Sequence, residues 1–195
     1  MIVHPADVIV FIDEHDPIKQ YEQFAKNFDG IKKINKVFNR SFVKAVESIY
    51  QCRGKVICAG IGKSGLIARK ISATFSSVGI PSFFCDPAQA LHGDMGQIEK
   101  KDILIVFSYS GNTSELTNML KYANRFRIKI IGVASKPESI LLKASDIKLL
   151  LPKVKESDVT GMVPTSSTSI TLLLGDCLAT TCLLYTLTLP TNREL

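Results

Sequence analysis

The spacing of apolar positions changes about a quarter of the way along the chain. Over residues 17–51 apolar side chains recur every three or four positions, with a break near Gly30. This spacing predicts an N-terminal arm of one or two helices. After the arm, short β-branched runs alternate with stretches of helical spacing, which predicts a second kind of structure. We therefore expect a helical arm over residues 1–54 that packs on one domain spanning residues 55–195.

The second part of the chain is predicted to contain five strands and the helices that connect them. Strands are expected at residues 56–59, 82–85, 103–107, 128–134 and 147–151, and helices at 66–77, 114–126, 139–144 and from 166 onward. Strands that alternate with helices form right-handed crossovers and a parallel sheet covered on both faces. The predicted fold is therefore α/β, with a doubly wound, five-stranded parallel sheet flanked by helices. Ligands of such folds bind at the carboxyl ends of the strands.

Composition narrows the classes of protein that fit this pattern. The chain has 195 residues, of which 46% are hydrophobic, and its mean hydropathy is +0.17, which is enough for one substantial core. The formal net charge of +6 is small and spread along the chain, and there is no Trp and no basic stripe interleaved with aromatic residues. A small anionic ligand is therefore expected rather than nucleic acid.

Two further features bear on the compartment. The five cysteines form no C-x-x-C pair and have no histidine at zinc spacing, so they are interpreted as reduced core residues of a cytoplasmic protein. Residues 1–16 lack a basic head followed by an apolar core, so no signal or transit peptide is indicated. The longest apolar stretch, over residues 170–189, is interrupted by Gly175 and Asp176. It is predicted to be a buried helix rather than a membrane span.

A loop rich in hydroxyl groups follows the third predicted strand. It runs from Ser108 to Glu115, and Ser114 is placed to cap the next helix. Free N–H groups at the helix start and the loop hydroxyls can donate towards one point, which suits a phosphate or another anion. Glu115 would place a carboxylate beside that anion, where a general base could act. An ordinary strand-to-helix turn explains the same residues.

A glycine-rich loop, Gly60–Gly65, follows the first predicted strand and resembles two phosphate-binding motifs. A P-loop would need its first glycine where this chain has Ile57, so that motif is excluded. The glycine spacing fits a dinucleotide fingerprint, and Asp86 could be its acidic residue, so this alternative stays open. Lys63 favours instead a phosphorylated or enediolate-forming ligand, because it places a cation in the turn.

A second group of hydroxyl side chains, over residues 164–169, precedes the last predicted helix. Such a helix start again suits an anion. Two hydroxyl-rich helix starts in one sheet are harder to explain as simple caps than one. Together with Lys63 they predict a pocket for a polyhydroxylated anion, that is, a sugar phosphate.

Five motifs within residues 30–182 support a resemblance to a known family. They are Gly62–Gly65, Pro81–Phe84 with Leu91–Asp94 behind it, Ser108–Glu115, Lys155–Glu156 and Pro164–Thr168. In this order they resemble the sugar isomerase (SIS) domain of bacterial arabinose-5-phosphate isomerases. The resemblance implies interconversion of D-ribulose 5-phosphate and D-arabinose 5-phosphate, the entry to 3-deoxy-D-manno-octulosonate for lipopolysaccharide or capsule. It also implies a homo-oligomer, a dimer or tetramer, in which neighbouring subunits complete the sites.

The resemblance and the chemistry together give roles to individual residues. Aldose–ketose isomerisation needs a base that moves a proton between C1 and C2, a group that stabilises the enediolate, and help with ring opening. Glu115 and Glu156 are the carboxylate candidates, Lys63 the electrostatic stabiliser, and His92 the candidate for ring opening or proton relay. The residues expected to hold phosphate and sugar are Gly62, Ser64, Ser108, Ser110, Thr113, Thr165, Ser166, Ser167 and Thr168. No metal or other cofactor is expected. A surface salt bridge for Glu156 and a capping role for His92 remain alternatives.

The last residues of the sequence differ from the family pattern. In the family the last helix is followed by a loop with a histidine and paired glycines, and usually by two CBS modules. Residues 184–195 contain neither a histidine nor a glycine. A second hypothesis is therefore a SIS module that binds a sugar phosphate without turnover, as a sensor or an assembly partner. A transcription regulator with a helix-turn-helix domain is not expected, because the N-terminal arm is too short for one.

Overall fold

The structure is a computed structural model that describes residues 30–158 and 160–188. The first half of the predicted helical arm and the short apolar run near the N-terminus lie outside the described residues. The proposed boundary between the arm and the domain at residue 54 therefore stays a prediction.

Five parallel strands form one sheet at the centre of the molecule. The strands are β1 Val56–Gly60, β2 Ser82–Cys85, β3 Ile103–Phe107, β4 Lys129–Ala134 and β5 Ile147–Leu150, and their order in the sheet is β2-β1-β3-β4-β5. Each neighbouring pair is parallel. All five residues of β1 and of β3 are buried, as expected for strands covered on both faces. The predicted five-stranded parallel sheet is confirmed, with strand ends shifted by at most one residue.

Helices cover both faces of the sheet. They are α1 Gly30–Lys33, α2 Arg40–Tyr50, α3 Gly62–Ser77, α4 Leu116–Arg125, α5 Ile140–Ala144 and α6 Ser166–Thr188, with 3₁₀ turns at Ile34–Val37, Gln89–His92 and Asp94–Gln97. Side chains of α2, α3 and α6 share one core with one face of the sheet. Side chains of α4, α5 and the segment after β2 share a second core with the other face. The molecule is thus a three-layer sandwich, as the sequence predicts.

The predicted break of the arm near Gly30 falls at the edge of the described residues and stays a prediction. Within the described part, the helical path is interrupted at Phe38 and Asn39, between the 3₁₀ turn Ile34–Val37 and α2. There the Asn39 side chain accepts a hydrogen bond of 2.8 Å from the N–H of Ser41 and caps α2. An asparagine cap satisfies a free N–H group of the first helical turn, which favours a new helix start at this point. The apolar face of α2 then packs in the core beside α6.

Helix α6 is the longest helix in the described part of the chain. Between Ser166 and Leu184 it is long and apolar enough to cross a membrane by length and composition, but core helices of water-soluble proteins pass the same test. Ile170, Leu174 and Leu178 are fully buried in the core between α6 and its neighbours. α6 contacts α1, α2 and α3. The prediction of a packed helix agrees with these contacts.

Candidate active site

The start of α3 places Lys63 and Ser64 at the carboxyl end of β1. The helix begins at Gly62, four residues before the predicted start at Leu66. Gly62 has a φ of +59°, which side chains rarely adopt, and so the chain turns directly from the strand into the helix. A Cβ atom on Gly65 would lie 2.7 Å from the carbonyl oxygen of Gly60, so the helix start lies directly on the strand. Lys63 and Ser64 are therefore in the first turn of a helix, whose free N–H groups favour anions.

The loop after β3 is folded by its own hydroxyl groups. The Ser108 hydroxyl lies 3.0 Å from the Thr113 hydroxyl and accepts a hydrogen bond of 3.1 Å from the N–H of Gly111. Gly111 has a φ of +67°, and a Cβ atom there would lie 2.3 Å from the Ser139 hydroxyl oxygen. Glycine is therefore required at this position, both by the backbone conformation and by the space available. Ser108 is buried and Ser110 is exposed.

The prediction that Ser114 caps α4 is wrong. Glu115 occupies the cap position without a side-chain cap bond, and the Ser114 hydroxyl donates to Glu115 Oε2 at 2.8 Å instead. The N–H groups of Leu116 and Thr117 donate to carbonyls three residues earlier, so a tight turn leads into the helix. The hydrogen bond from Ser114 lowers the pKa of Glu115, whose side chain is exposed to solvent.

Glu156 lies across the N-terminus of α6. Its Oε2 atom accepts hydrogen bonds from the N–H of Thr165 at 2.8 Å, from the Thr165 hydroxyl at 3.2 Å and from the N–H of Ser167 at 3.2 Å. Burial raises the pKa of Glu156, but hydrogen bonds from Ser167 and Thr165 outweigh burial and lower it overall. Glu156 is therefore an ionised carboxylate bound to a helix start, with no salt bridge to a described residue.

The segment that carries Glu156 is fixed to α6 by a buried pair of hydroxyl groups. The Ser157 and Ser166 hydroxyls lie 2.8 Å apart, and each residue is 1% exposed. The Thr165 hydroxyl accepts a hydrogen bond of 2.8 Å from the N–H of Ser157. Thr165 and Ser166, both predicted to bind the ligand, thus bond to the protein itself.

One cavity of about 400 Å³ brings most of the predicted site residues together. It lies between the starts of α3 and α6 and the loop after β3. The predicted residues that line it are Lys63, Ser64, Ser108, Ser110, Thr113, Glu156, Ser167 and Thr168. Ile61, Tyr109, Pro164 and Thr171 complete the lining. The lining of the cavity therefore includes one lysine, one glutamate and several side chains that carry hydroxyl groups.

Sequence reasoning missed Tyr109 and Thr171 as lining residues. Tyr109 stands between two predicted ligand residues, but alternation along an extended chain would point it away from them. Thr171 lies four positions after Ser167, one helical turn on, and its hydroxyl donates to the Ser167 carbonyl at 2.7 Å. Helical spacing from Ser167 is the signal that could have identified Thr171.

Gly62, His92, Glu115, Thr165 and Ser166 are the predicted site residues that do not line the cavity. Gly62 makes the turn that positions Lys63. His92 is the last residue of the 3₁₀ turn Gln89–His92, and both His92 and Glu115 are exposed. Within the described residues of one chain, the structure does not bring these two side chains to the cavity that holds Lys63 and Glu156.

The structure does not favour the dinucleotide alternative. The strand order β2-β1-β3-β4-β5 is that of flavodoxin-like sheets rather than the 3-2-1-4-5-6 order of dinucleotide-binding folds. Asp86, the candidate acidic residue, accepts a hydrogen bond of 2.9 Å from the N–H of Ala88 and so caps a turn. It does not line the cavity beside Lys63.

The five cysteines are free thiols. Cys58, Cys85 and Cys182 are buried, as predicted for core residues, whereas two others, Cys52 and Cys177, are only partly buried. Burial raises the pKa of Cys58 to about 12, and it is the main cause that raises the pKa of Cys85 and of Cys182 to about 11. Such thiols stay protonated at neutral pH and are poor nucleophiles. None of the five lines the cavity.

Comparison with known proteins defines the class to which this fold and cavity belong. The model of the SIS domain family matches residues 48–181, and the chain is a member of that family. The chain is 40% identical to the arabinose 5-phosphate isomerase KdsD of Escherichia coli K12 over 158 residues. This alignment covers 81% of the chain and 48% of KdsD, so the chain spans about half the length of the curated relatives it matches. The predicted resemblance to this family is confirmed.

Two solved structures show the same fold. A Listeria monocytogenes protein proposed to be a sugar-phosphate isomerase has a TM-score of 0.84 and 31% identity, with 89% of this chain and 93% of that chain covered. An Escherichia coli CFT073 protein in complex with A5P has a TM-score of 0.81 and 31% identity, with 92% and 96% covered. The second of these structures contains a sugar phosphate in a protein with this fold.

Proposed function

We propose that this chain is an aldose–ketose isomerase that interconverts D-ribulose 5-phosphate and D-arabinose 5-phosphate through an enediolate. The observation that carries the proposal is that Lys63 and Glu156 line the same cavity among hydroxyl groups. Curated relatives are named arabinose 5-phosphate isomerases, and a solved protein 31% identical to this chain is in complex with A5P. The reaction would supply 3-deoxy-D-manno-octulosonate synthesis in the cytoplasm, without a metal or other cofactor.

The phosphate of the substrate would lie at the loop after β3. Ser108, Ser110 and Thr113 supply hydroxyl groups there, and the first turn of α3 supplies Ser64 and free N–H groups. Hydroxyl and N–H donors at a helix start bind a phosphate without a bound cation. The sugar would then extend towards Ser167 and Thr168 at the start of α6, on the opposite wall of the cavity.

Glu156 would carry the proton between C1 and C2. Its three hydrogen bonds end on Oε2, so Oε1 takes part in none of them. Oε1 would remove the proton from C1 of the ketose and return it to C2, while the proton of the C1 hydroxyl moves to the carbonyl oxygen at C2. The anchored Oε2 keeps the carboxylate in one orientation during both transfers.

Lys63 would stabilise the enediolate. Lys63 lines the cavity, and its ammonium group makes no hydrogen bond or ion pair with another described residue. A cation held at the place where negative charge develops lowers the barrier more than it stabilises the substrate. Lys63 and Glu156 thus divide the two demands of the reaction, charge stabilisation and proton transfer.

Glu115 and His92 would act from a neighbouring subunit. Both side chains are exposed in the single chain and lie outside its cavity, although the resemblance gives them roles in catalysis. A homo-oligomer with shared sites supplies them to the cavity of the adjacent subunit. In that arrangement His92 assists ring opening and Glu115 relays protons.

The test is turnover by the purified protein. D-Ribulose 5-phosphate is added, and D-arabinose 5-phosphate is measured by carbon NMR. Lys63→Met and Glu156→Gln should each lower kcat by about 100-fold or more, since acid–base and electrostatic groups contribute factors of that size. Glu138→Gln is the matched control, because Glu138 is an exposed residue that pairs with Lys143 on α5. Wild-type-like turnover by Glu156→Gln would contradict the mechanism.

A second candidate is a SIS module that binds a sugar phosphate without turnover. The observation that favours it is the exposure of Glu115 and His92 outside the cavity, which leaves one chain without two of its proposed catalytic groups. The same assay separates the two functions. Binding of ribulose 5-phosphate by calorimetry, with no product above the buffer control, would establish the binding module and exclude the isomerase.

A further inference from the structure

Tyr109 connects the ends of three neighbouring strands. It is the second residue after β3, and its carbonyl accepts hydrogen bonds from the N–H of Ser135 at 2.9 Å and from the Ser135 hydroxyl at 2.8 Å. Ser135 is the residue that follows β4. At its other end, the Tyr109 hydroxyl donates to the Pro152 carbonyl at 3.2 Å and accepts from the N–H of Val154 at 2.9 Å. These last two residues follow β5, so one residue spans the edge of the sheet from β3 to β5.

The segment held by the Tyr109 hydroxyl leads directly to Glu156. In the part of the chain that the structure describes, residues 152–155 make no hydrogen bonds other than these two with Tyr109. The next anchors are Leu151, whose N–H donates to the Ala134 carbonyl, and Glu156 itself at the start of α6. The Tyr109 hydroxyl is therefore the fixed point between the end of β5 and the carboxylate.

We propose that Tyr109 is a positioning residue. Its hydroxyl holds residues 152–156 so that Glu156 faces the loop after β3 across the cavity. The inference rests on the proposed function, since it concerns the placement of the proton-transfer group. The Tyr109 backbone belongs to the same loop as Ser108, Ser110 and Thr113, and its hydroxyl holds the segment that carries Glu156. One rigid phenol therefore sets the distance between this loop and this segment. A displacement of about 1 Å in such a group can lower the rate about 100-fold.

Tyr109→Phe isolates the hydroxyl, because it keeps the aromatic ring and its packing. We expect kcat with ribulose 5-phosphate to fall about 10- to 100-fold while KM, and the inhibition constant of inorganic phosphate, change less than about twofold. The N–H of Val154 loses its acceptor, so its hydrogen exchange should become at least about tenfold faster. A residue that only stabilised the fold would not separate kcat from KM in this way.

Tyr122→Phe is the matched control. Tyr122 lies on α4 with its ring 4.6 Å from that of Phe126, and its hydroxyl makes no hydrogen bond within the described residues. It does not line the cavity. This variant should match the wild-type protein in kcat, in KM and in the exchange rate of the Val154 amide.

The outcomes separate the inference from the proposed function. Unchanged kcat in Tyr109→Phe, with an active wild type, overturns the positioning role. Weaker phosphate binding with unchanged Val154 exchange also overturns it, because Tyr109 would then contact the ligand itself. If the wild type shows no turnover, the isomerase proposal fails. In that case faster Val154 exchange with unchanged phosphate affinity still supports the positioning contact, whereas unchanged exchange overturns it.

Discussion

At the scale of single residues, Glu156 combines a structural role with the catalytic role that we propose for it. Its Oε2 replaces the usual side-chain cap of a helix start by accepting two N–H groups and one hydroxyl of Thr165 and Ser167. A carboxylate near the positive end of a helix is stabilised in its charged form. The second oxygen, Oε1, takes part in none of these bonds. In the proposed mechanism, the chemical demand for an ionised, fixed base and the structural demand for a cap would thus be met by one side chain.

The pKa of Glu156 gives a pH dependence with a defined sign. Hydrogen bonds lower this pKa despite partial burial, so Glu156 stays charged to more acidic pH than an ordinary glutamate. The acid limb of kcat/KM should therefore lie below the usual carboxylate range. Ser167→Ala keeps the backbone N–H that bonds to Oε2 but removes the Ser167 hydroxyl, which also helps to lower this pKa. The loss should raise the pKa and move the acid limb to higher pH.

The measurement is the pH profile of kcat/KM, with circular dichroism at each pH to confirm that the protein remains folded. Ser169→Ala is the control, since the Ser169 hydroxyl donates to the Thr165 carbonyl at 2.9 Å and not to Glu156. An acid limb that is the same in wild type and Ser167→Ala would show that Glu156 does not control the rate.

At the scale of secondary-structure elements, the sequence predicts strands better than helix starts. β1 and β3 are buried on both faces, so they are continuous apolar runs with sharp polar ends. The predicted start of α3 is four residues late, because periodicity cannot show that Gly62 takes a positive φ and begins the helix at once. Ser114 has the residue type of a cap, although its hydroxyl bonds to Glu115 instead. Backbone conformation and side-chain partners decide helix starts, and the sequence pattern specifies neither.

The loop after β3 should be sensitive to Gly111. Alanine there would have a strained φ near +67°, and its Cβ would lie 2.3 Å from the Ser139 hydroxyl oxygen. Strain of this kind destabilises by about 1–3 kcal/mol, and the clash with a packed residue adds about 1–3 kcal/mol. Gly111→Ala should therefore lower the free energy of unfolding by about 2–6 kcal/mol and weaken sugar-phosphate binding.

Gly161→Ala provides a control with the same backbone strain and no clash. Gly161 also has a φ of +67°, but no atom of a described residue beyond its chain neighbours lies within 4 Å of the position that its Cβ would take. Urea unfolding of both variants separates the effect of backbone strain from that of the steric clash, because only Gly111→Ala introduces the clash. Equal losses of unfolding free energy in the two variants would mean that Ser139 moves aside without penalty.

At the scale of the whole molecule, the family motifs predict the site residues as one set, but one chain does not assemble them all. Lys63 and Glu156 line the cavity because the carboxyl ends of the strands and the start of α6 meet there. His92 and Glu115 follow β2 and β3 on exposed segments, outside the cavity. A linear motif records which residues a family uses and not which subunit supplies each one. The placement of these two residues relative to the cavity could therefore be read only from the structure.

The proposal of shared sites makes a quantitative prediction for mixed oligomers. Glu115→Gln and Glu156→Gln proteins should each be nearly inactive alone. If Glu115 acts on the cavity of a neighbouring subunit, a dimer with one variant chain of each kind contains one site with both mutations and one site with none. Random mixing by co-expression makes about half of the dimers hybrid, so activity should return to about a quarter of wild type.

Tagging the two chains differently allows the hybrid to be isolated and assayed alone, with expected activity about half of wild type. An inactive, folded hybrid would place Glu115 in the cavity of its own chain, since only a site completed across the interface can regain both carboxylates by mixing. Wild-type-like activity of the Glu115→Gln protein alone would exclude Glu115 from the reaction.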